Sequence, residues 1–253
     1  MNGVEHRLFG EWDAGDPCSA AEWADRARKE IAACHEEDTV PILVGGTGLY
    51  IKVLIEGIAP IPEIDPEIRR VVRAMETERA YAALQIEDPY RAALLSPGDS
   101  QRIARALEVK RSTGVTLGDW QLAKSGGLGE DITLHPLVLM PDRTWLYRRC
   151  DARFAQMIEN GAADEVAALI QRGLAPDLPV MRAIGVKEIA AWKDGEISKE
   201  EAIEAGAQAT RRYAKRQFTW LRNQAPADWP VAEIGHGNET IDPEGYFAAL
   251  LRE

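Results

Sequence analysis

We expect the fold of this chain to be organised around one stretch, VPILVGGTGLY at residues 40–50. Residues 41–44 form an apolar run too short for a helix, which is typical of a strand buried on both faces of a parallel sheet. Gly45 and Gly46 end the run and allow the backbone to turn. Thr47 then places a hydroxyl group at the carboxyl end of the strand, where open α/β sheets bind their ligands. A strand-to-helix turn without a ligand would have the same residues, so this stretch alone leaves both interpretations open.

The composition is that of an ordinary globular protein, with 45% hydrophobic and 28% charged residues. No apolar run approaches the roughly 20 residues that cross a bilayer, and the first twelve residues do not resemble a signal peptide. Cys18, Cys34 and Cys150 are far apart, which favours neither a disulfide framework nor a zinc site. We therefore expect a cytoplasmic monomer without a membrane partner.

The formal net charge is −11, which argues against nucleic-acid binding over the whole surface. A local basic site is still possible, because salt screens charges beyond about 8 Å at physiological ionic strength. The positions at which basic residues cluster are therefore more informative than their total.

Two parts of the chain differ in pattern. Residues 1–60 and 132–253 alternate helical and strand signals, which predicts an α/β core with a parallel sheet, whereas residues 61–131 predict an inserted all-helical module. The individual predictions are a helix at 20–35 with a Ser19–Glu22 capping box, a helix from 48 to about 56, a strand at 134–140, a helix from Ser198 to about 222, a strand at 231–234 and a closing helix at 246–251.

One basic group lies within the helical module. On a helix, Gln101 and Arg105 would be neighbours at i, i+4, with Arg102 beside Arg105 at i, i+3. Ile103 would face inward, and Ala104 lies between the two arginines. An amide and two guanidinium groups on one surface suit a phosphate backbone or a base edge. An ordinary solvated helix face is the alternative.

A second basic group lies in the long helix after Ser198, where Arg211 and Lys215, and Arg212 and Arg216, are spaced at i, i+4. Like charges at this spacing repel by a few tenths of a kcal/mol. An acidic protein that accepts this cost is predicted to bind a polyanion there. The usual preference for cations near the C-terminus of a helix accounts for part of the pattern.

A third group is predicted to open a helix and places a glycine between two cations; its members are Arg182, Ala183, Ile184, Gly185, Val186 and Lys187. Arg148, Arg149 and Arg153 add positive charge to the helix that follows the 134–140 strand. Any of these arginines could hold a pyrophosphate through two parallel hydrogen bonds. The four histidines show no metal-ligand spacing, and no Ser/His/Asp or Cys/His arrangement indicates a hydrolase.

Five motifs, in this order, resemble the tRNA dimethylallyltransferase family. They are LVGGTGLYIKVLIEG, DPEIR at residues 65–69, SPGDSQRIARALEV, MRAIGVKE and ATRRYAKRQFTWLR. The resemblance extends from about residue 3 to residue 234. It implies a P-loop-type α/β core and transfer of a dimethylallyl group from dimethylallyl pyrophosphate to N6 of the adenine immediately 3′ of the tRNA anticodon. Magnesium is the implied cofactor, and the tRNA anticodon stem-loop is the implied partner.

The resemblance also implies roles for individual residues. Thr47 resembles the threonine at the reaction centre that contacts the target nucleotide, and Arg153 resembles an arginine that helps to hold the pyrophosphate. Arg69 resembles a tRNA-contacting arginine, and residues 101–105 and 182–187 resemble tRNA-contact segments. The family usually has an aromatic residue where Val186 stands, which argues against stacking at this position.

One departure from the family is large. No glycine in this sequence is followed by Lys and then Ser or Thr, so the phosphate-loop pattern G-x-x-x-x-G-K-[ST] is absent, and the segment with the general-base aspartate is not matched. We therefore expect a chain that starts roughly 60 residues late, lacks the N-terminal strand and phosphate loop, and has little or no transferase activity. A noncatalytic tRNA- or RNA-binding remnant is the alternative, and a kinase-like transferase is a third interpretation.

Overall fold

The computed structural model describes residues 3–234 and residue 245. The predicted closing helix at 246–251 lies outside the described residues. The helices are α1 Ala20–Glu36, α2 Gly48–Glu56, α3 Pro66–Arg73, α4 Thr77–Glu87, α5 Pro89–Leu94, α6 Ser100–Thr113, α7 Leu117–Leu122, α8 Arg143–Met157, α9 Ala163–Gln171, α10 Val186–Lys193 and α11 Lys199–Gln224, and the strands are β1 Val138–Pro141 and β2 Val231–Ile234.

The chain divides into two compact units. One contains residues 1–51 and 133–253, and we call it the α/β unit; the other is Lys52–Ile132, and we call it the helical unit. The division falls within α2.

The α/β unit contains a parallel pair of strands and a helical core. β1 and β2 pair in parallel from Val138 opposite Val231 to Pro141 opposite Ile234, which confirms the predicted strand at 231–234 and shortens the one predicted at 134–140. Helix α8 packs on α11. Gly206 makes this contact close, because a Cβ atom there would lie 2.0 Å from the Phe154 ring.

Capping boxes fix the starts of α1 and α11, as predicted. The Glu22 amide donates to the Ser19 hydroxyl at 3.1 Å, and the Ser19 amide donates to the Glu22 carboxylate at 2.9 Å. Ser198 and Glu201 form the same pair of bonds at 3.1 and 2.8 Å. Each box satisfies two amide groups that would otherwise lack a partner at a helix start.

The predicted strand at 41–44 is wrong. These residues have no regular secondary structure, and Ile42 and Val44 are 82% and 89% exposed. A strand requires a backbone partner, and within residues 3–234 the sheet consists of β1 and β2 alone. An apolar run of four residues therefore does not by itself make a strand, because the strand also needs a neighbour for its backbone hydrogen bonds.

The helical unit is built around α6. Its core consists of Val72, Ala80, Leu84, Ala92, Ile103, Ala106 and Leu107, which come from α3, α4, α5 and α6. Aspartate caps begin three of these helices: Asp65 accepts from the Ile68 amide, Asp88 from Arg91 and Asp99 from Arg102. Gly114, with φ of 74°, ends α6 in the left-handed conformation that favours glycine.

The two ends of the helical unit are joined by backbone hydrogen bonds. Ile58 and Ser125 exchange bonds of 3.0 and 3.1 Å, and the Leu128 amide donates to the Leu54 carbonyl at 2.9 Å. Gly57 permits this close approach, because a Cβ atom there would lie 2.3 Å from the Ser125 carbonyl oxygen. The unit therefore begins and ends at nearly the same place, as expected of an insertion.

Candidate functional site

Thr47 lies at the start of α2, on the surface of the α/β unit. Its carbonyl accepts a hydrogen bond from the Tyr50 amide at 2.9 Å, which makes it the first residue of the helical turn. Its hydroxyl lies 2.8 Å from the Tyr213 hydroxyl of α11, and either oxygen can be the donor. The threonine is exposed, yet its side chain is held by a residue 166 positions away in the chain.

The glycines around Thr47 bring this turn against α11. A Cβ atom at Gly46 would lie 2.6 Å from the Gln217 amide nitrogen, and one at Gly48 would lie 2.0 Å from the Trp220 ring. The GGTG sequence is therefore explained by close packing on α11, in addition to the turn that the sequence predicted.

Aromatic residues support the other side of this helix. Tyr50 meets Trp23 of α1 edge to face, with ring centroids 5.2 Å apart. Burial and the neighbouring Cys18 raise the pKa of the Tyr50 phenol above its ordinary value, so the group stays protonated at neutral pH.

Four basic residues of α11 were predicted to bind a polyanion, and among residues 3–234 one of them is ion-paired and three are not. Arg211 donates to the Asp151 carboxylate and, at 2.9 Å, to Glu204. These carboxylates, Glu204 first, raise the pKa of its guanidinium. The other three, Arg212, Lys215 and Arg216, are exposed and have no ion-pair partner among residues 3–234, although Arg216 lies over the Tyr213 ring.

Arg153 lines an open cavity of about 370 Å³ at the end of α8. The cavity lies beside a π-helical turn, Ile158–Ala162, in which Gly161 has φ of 100°. Glu165 lines the same cavity, so one carboxylate opposes the one guanidinium there. The described contacts do not join Arg153 to Thr47.

Residues 182–187 lead into α10. The Arg182 guanidinium donates to the Asp177 carbonyl, and the Gly185 amide donates to the Glu188 carboxylate at 3.0 Å. Gly185 has φ of 102°, a conformation that favours glycine. Val186 is buried in the core, so within the predicted tRNA-contact segment its side chain packs inward.

The helical unit carries the densest group of arginines near a single acid. Arg69 and Gln101 are exposed, and Arg102 donates to Asp99 at 3.0 Å. Arg105 lies 3.8 Å from the Glu108 carboxylate. Ile103 is fully buried, as its predicted inward orientation requires, so within the predicted tRNA-contact segment its side chain supports the surface from below, while Ala104 is half-buried.

Sequence reasoning missed two members of this group. Glu108, whose side chain is only 2% exposed, accepts from the Arg73 Nε at 2.8 Å. Arg73 follows Arg69 by one helical turn on α3, and Glu108 follows Arg105 by three residues on α6. The i, i+4 and i, i+3 spacings were visible in the sequence, but the pairing of α3 with α6 was not.

The described residues provide no metal cage. Among residues 3–234, no group of three or more His, Cys, Asp or Glu side chains is placed to hold a metal ion. We therefore derive no step of the reaction through the implied magnesium, which stays a prediction. Within the same part of the chain, no helix is long and apolar enough to cross a membrane.

These features define an α/β protein with a helical insertion and cationic surfaces suited to phosphate groups. A sequence profile of the family described as IPP transferase matches residues 1–224. The chain belongs to that family, which confirms the resemblance.

Relatives with curated names support this family assignment. A tRNA dimethylallyltransferase of Novosphingobium aromaticivorans is 58% identical over 252 residues, which cover 100% of this chain and 88% of the relative. A protein of the same name from Erythrobacter litoralis is 59% identical over 233 residues, covering 92% of this chain and 74% of the relative.

Solved structures share the fold. The tRNA isopentenylpyrophosphate transferase of Bacillus halodurans has a TM-score of 0.65 and 31% identity, over 99% of this chain and 80% of that chain. A eukaryotic dimethylallyltransferase acting on tRNA has a TM-score of 0.73 at 23% identity, over 91% of this chain and 60% of that chain, which supports the fold alone.

Proposed function

We propose that this chain acts in tRNA prenylation, by transfer of a dimethylallyl group from dimethylallyl pyrophosphate to N6 of the adenine 3′ of the anticodon. The observation that carries the proposal is the fixed Thr47 hydroxyl, 2.8 Å from Tyr213, in a chain of the IPP transferase family. Relatives of the same family are named for this transfer to tRNA.

The proposed reaction requires a base, cations and a displaced adenine. In the reaction, the bond between the dimethylallyl carbon and the pyrophosphate oxygen breaks, the bond to N6 forms, and N6 loses a proton. The exocyclic amine is a poor nucleophile, so a base must take this proton, and cations must stabilise the leaving pyrophosphate. The adenine must also leave the anticodon stack. Thr47 would contact this nucleotide, and Arg153 would help to hold the pyrophosphate.

The tRNA would be held by cations on the surface of each unit. In the helical unit these are Arg69, Arg102 and Arg105, with the Gln101 amide. In the α/β unit they are Arg182 and Lys187, together with Arg212, Lys215 and Arg216 of α11. Contacts to phosphate dominate affinity for nucleic acids and make it fall steeply with salt. These local surfaces explain how a chain of net charge −11 would bind a polyanion.

Three finer features stay predictions. They are the P-loop-type arrangement of the core, the requirement for magnesium and a monomeric state. The 253-residue sequence contains no G-x-x-x-x-G-K-[ST] and no match to the segment that carries the general base. We therefore propose that this chain, assayed as it stands, transfers the dimethylallyl group slowly or not at all. The same observation favours a second candidate function, noncatalytic binding of tRNA.

One assay separates these candidates. The purified 253-residue chain is incubated with tRNA, dimethylallyl pyrophosphate and magnesium, and the digested nucleosides are analysed by mass spectrometry. Product that is lost in Thr47→Ala or without magnesium would support the transferase. Binding of tRNA without product would support the second candidate.

Two outcomes would contradict the proposal. Turnover near the enzyme median of about 10 s⁻¹ would contradict the impairment. Failure to bind tRNA would contradict both candidate functions. Thr116→Ala, at a half-buried threonine of the helical unit that caps α7, is a control for the loss of a hydroxyl and should not alter product formation.

A further inference from the structure

Glu108 is a buried carboxylate whose only ion-pair partners in the described structure are Arg73 and Arg105. Removing a carboxylate from water costs several kcal/mol unless it is paired and hydrogen-bonded. Its Arg73 partner is 66% exposed, at the edge of the pair that faces solvent. The acid therefore lies inside the unit, while the guanidinium group that it binds reaches the surface.

Positive charge exceeds negative charge around this acid. Arg69 lies near Arg105 and has no ion-pair partner among residues 3–234. Burial lowers the pKa of Arg105, Glu108 opposes that effect, and the neighbouring Arg69 and Arg73 lower the pKa further. Two guanidinium groups, those of Arg73 and Arg105, thus share one carboxylate, and with Arg69 nearby the cluster holds three cations and one anion.

Other arginines of the same helices are arranged differently. Arg70 is paired with Glu67 on its own helix at 2.5 Å, and Arg102 is paired with Asp99 at 3.0 Å. Each of these pairs has one cation and one anion. The cluster around Glu108 is therefore distinctive in its excess of cations, and a phosphate group would supply the anion that it lacks.

We propose that Arg73 is a further contact to the RNA phosphate backbone, and that the buried Glu108 is a positioning residue that holds Arg73 and Arg105 in the geometry for this contact. The inference rests on the proposed function, because RNA is the polyanion that it supplies. It extends that function to two residues that neither the resemblance nor the named relatives assigned.

The direction in which RNA affinity changes in a Glu108 variant tests the proposal. Glu108→Gln removes a negative charge beside the surface, so long-range electrostatics alone would tighten RNA binding. Loss of positioning would weaken it instead. The two effects have opposite directions, and a measured affinity therefore distinguishes them.

The experiment measures binding of the full chain to a fluorescein-labelled anticodon stem-loop RNA by fluorescence anisotropy, at several salt concentrations. We expect Arg73→Ala to weaken binding about threefold to tenfold and to reduce the salt slope by about one. Arg79→Ala removes an exposed arginine paired with Glu76 in the same unit, and this control should change affinity less than about twofold.

We expect Glu108→Gln to weaken binding by about threefold. In the Arg73→Ala background, Glu108→Gln should cost less than it does alone, because part of its effect acts through Arg73. Tighter or unchanged RNA binding in Glu108→Gln would overturn the positioning role. The role would also be overturned if the loss of affinity in the double variant equalled the product of the two single losses, because the two residues would then act independently. Circular dichroism confirms that each variant is folded, and Arg73→Ala alone still decides the contact if Glu108→Gln is not.

Failure of this inference differs from failure of the proposed function. If the unmodified chain binds the stem-loop and Arg105→Ala weakens that binding, but Arg73→Ala binds as the unmodified chain does, only the inference is overturned. If the unmodified chain does not bind the RNA, the proposed function and the inference both fail.

Discussion

Arg105 in the helical unit and Arg211 in the α/β unit look alike in sequence, but the structure places them in opposite electrostatic surroundings. Arg211 faces two carboxylates, Asp151 and Glu204. Arg105 shares one carboxylate with Arg73 and lies near Arg69 as well. A run of basic residues therefore does not show which charges are available to a ligand. The acids that lie beside each arginine in the folded chain decide that, whether they come from the same helix or from another one.

The largest expected effect comes from the packing that holds Arg211 beside Asp151. In Gly206→Ala, the new Cβ would lie 2.0 Å from the Phe154 ring, where α8 packs on α11. We expect a loss of about 3 kcal/mol in the free energy of unfolding, measured with urea, because overpacked cores must shift. Gly98→Ala meets no atom within 4 Å and is the control. A stable Gly206→Ala variant would show that this helix contact is loose.

The next largest effect tests directly whether the arginines of the helical unit are available to bind RNA. Replacing both Arg69 and Arg105 by Ala should weaken binding of the anticodon stem-loop about tenfold and reduce the salt slope by about two. The thermal midpoint should change little, since both side chains reach solvent. An unchanged affinity would show that the RNA does not bind at Arg69 and Arg105. The proposed difference between Arg105 and Arg211 in availability to RNA would then be lost.

Arg211→Ala should give the reverse result. Loss of two partly exposed ion pairs should cost about 1 kcal/mol and lower the thermal midpoint by about 2–4 °C. Affinity for the stem-loop should change less than about twofold, because this guanidinium is already neutralised. A large loss of RNA affinity with an unchanged midpoint would contradict this interpretation of its carboxylate partners.

The smallest effect concerns the start of the same helix. Hydrogen bonds from the Ser198 amide and hydroxyl hold the pKa of Glu201 below its ordinary value. A lowered acid pKa means that the stabilisation is present at neutral pH and is lost as pH falls through the folded-state pKa. The thermal midpoint of Glu201→Gln should therefore be slightly lower than that of the unmodified chain at pH 7 and equal to it in acid. A difference that persists in acid would show that charge is not involved.

The sequence predicted what depends on neighbouring residues. Both capping boxes, the long helix after Ser198 and the helix after Thr47 were correct because caps and helical periods act over a few positions. The strand at 41–44 was wrong because strand pairing depends on a distant partner. The bond between Thr47 and Tyr213, 166 residues apart, and that between Arg73 and Glu108, 35 residues apart, could not be predicted for the same reason.

The joined ends of the helical unit have a consequence for protein engineering. Ile58 and Ser125 are already within hydrogen-bonding distance through their backbones. A short turn could therefore replace residues 59–124 without stretching either flanking segment, since such a turn spans the same gap. The insertion could therefore be deleted, and the same junction could accept a different module that binds a different ligand.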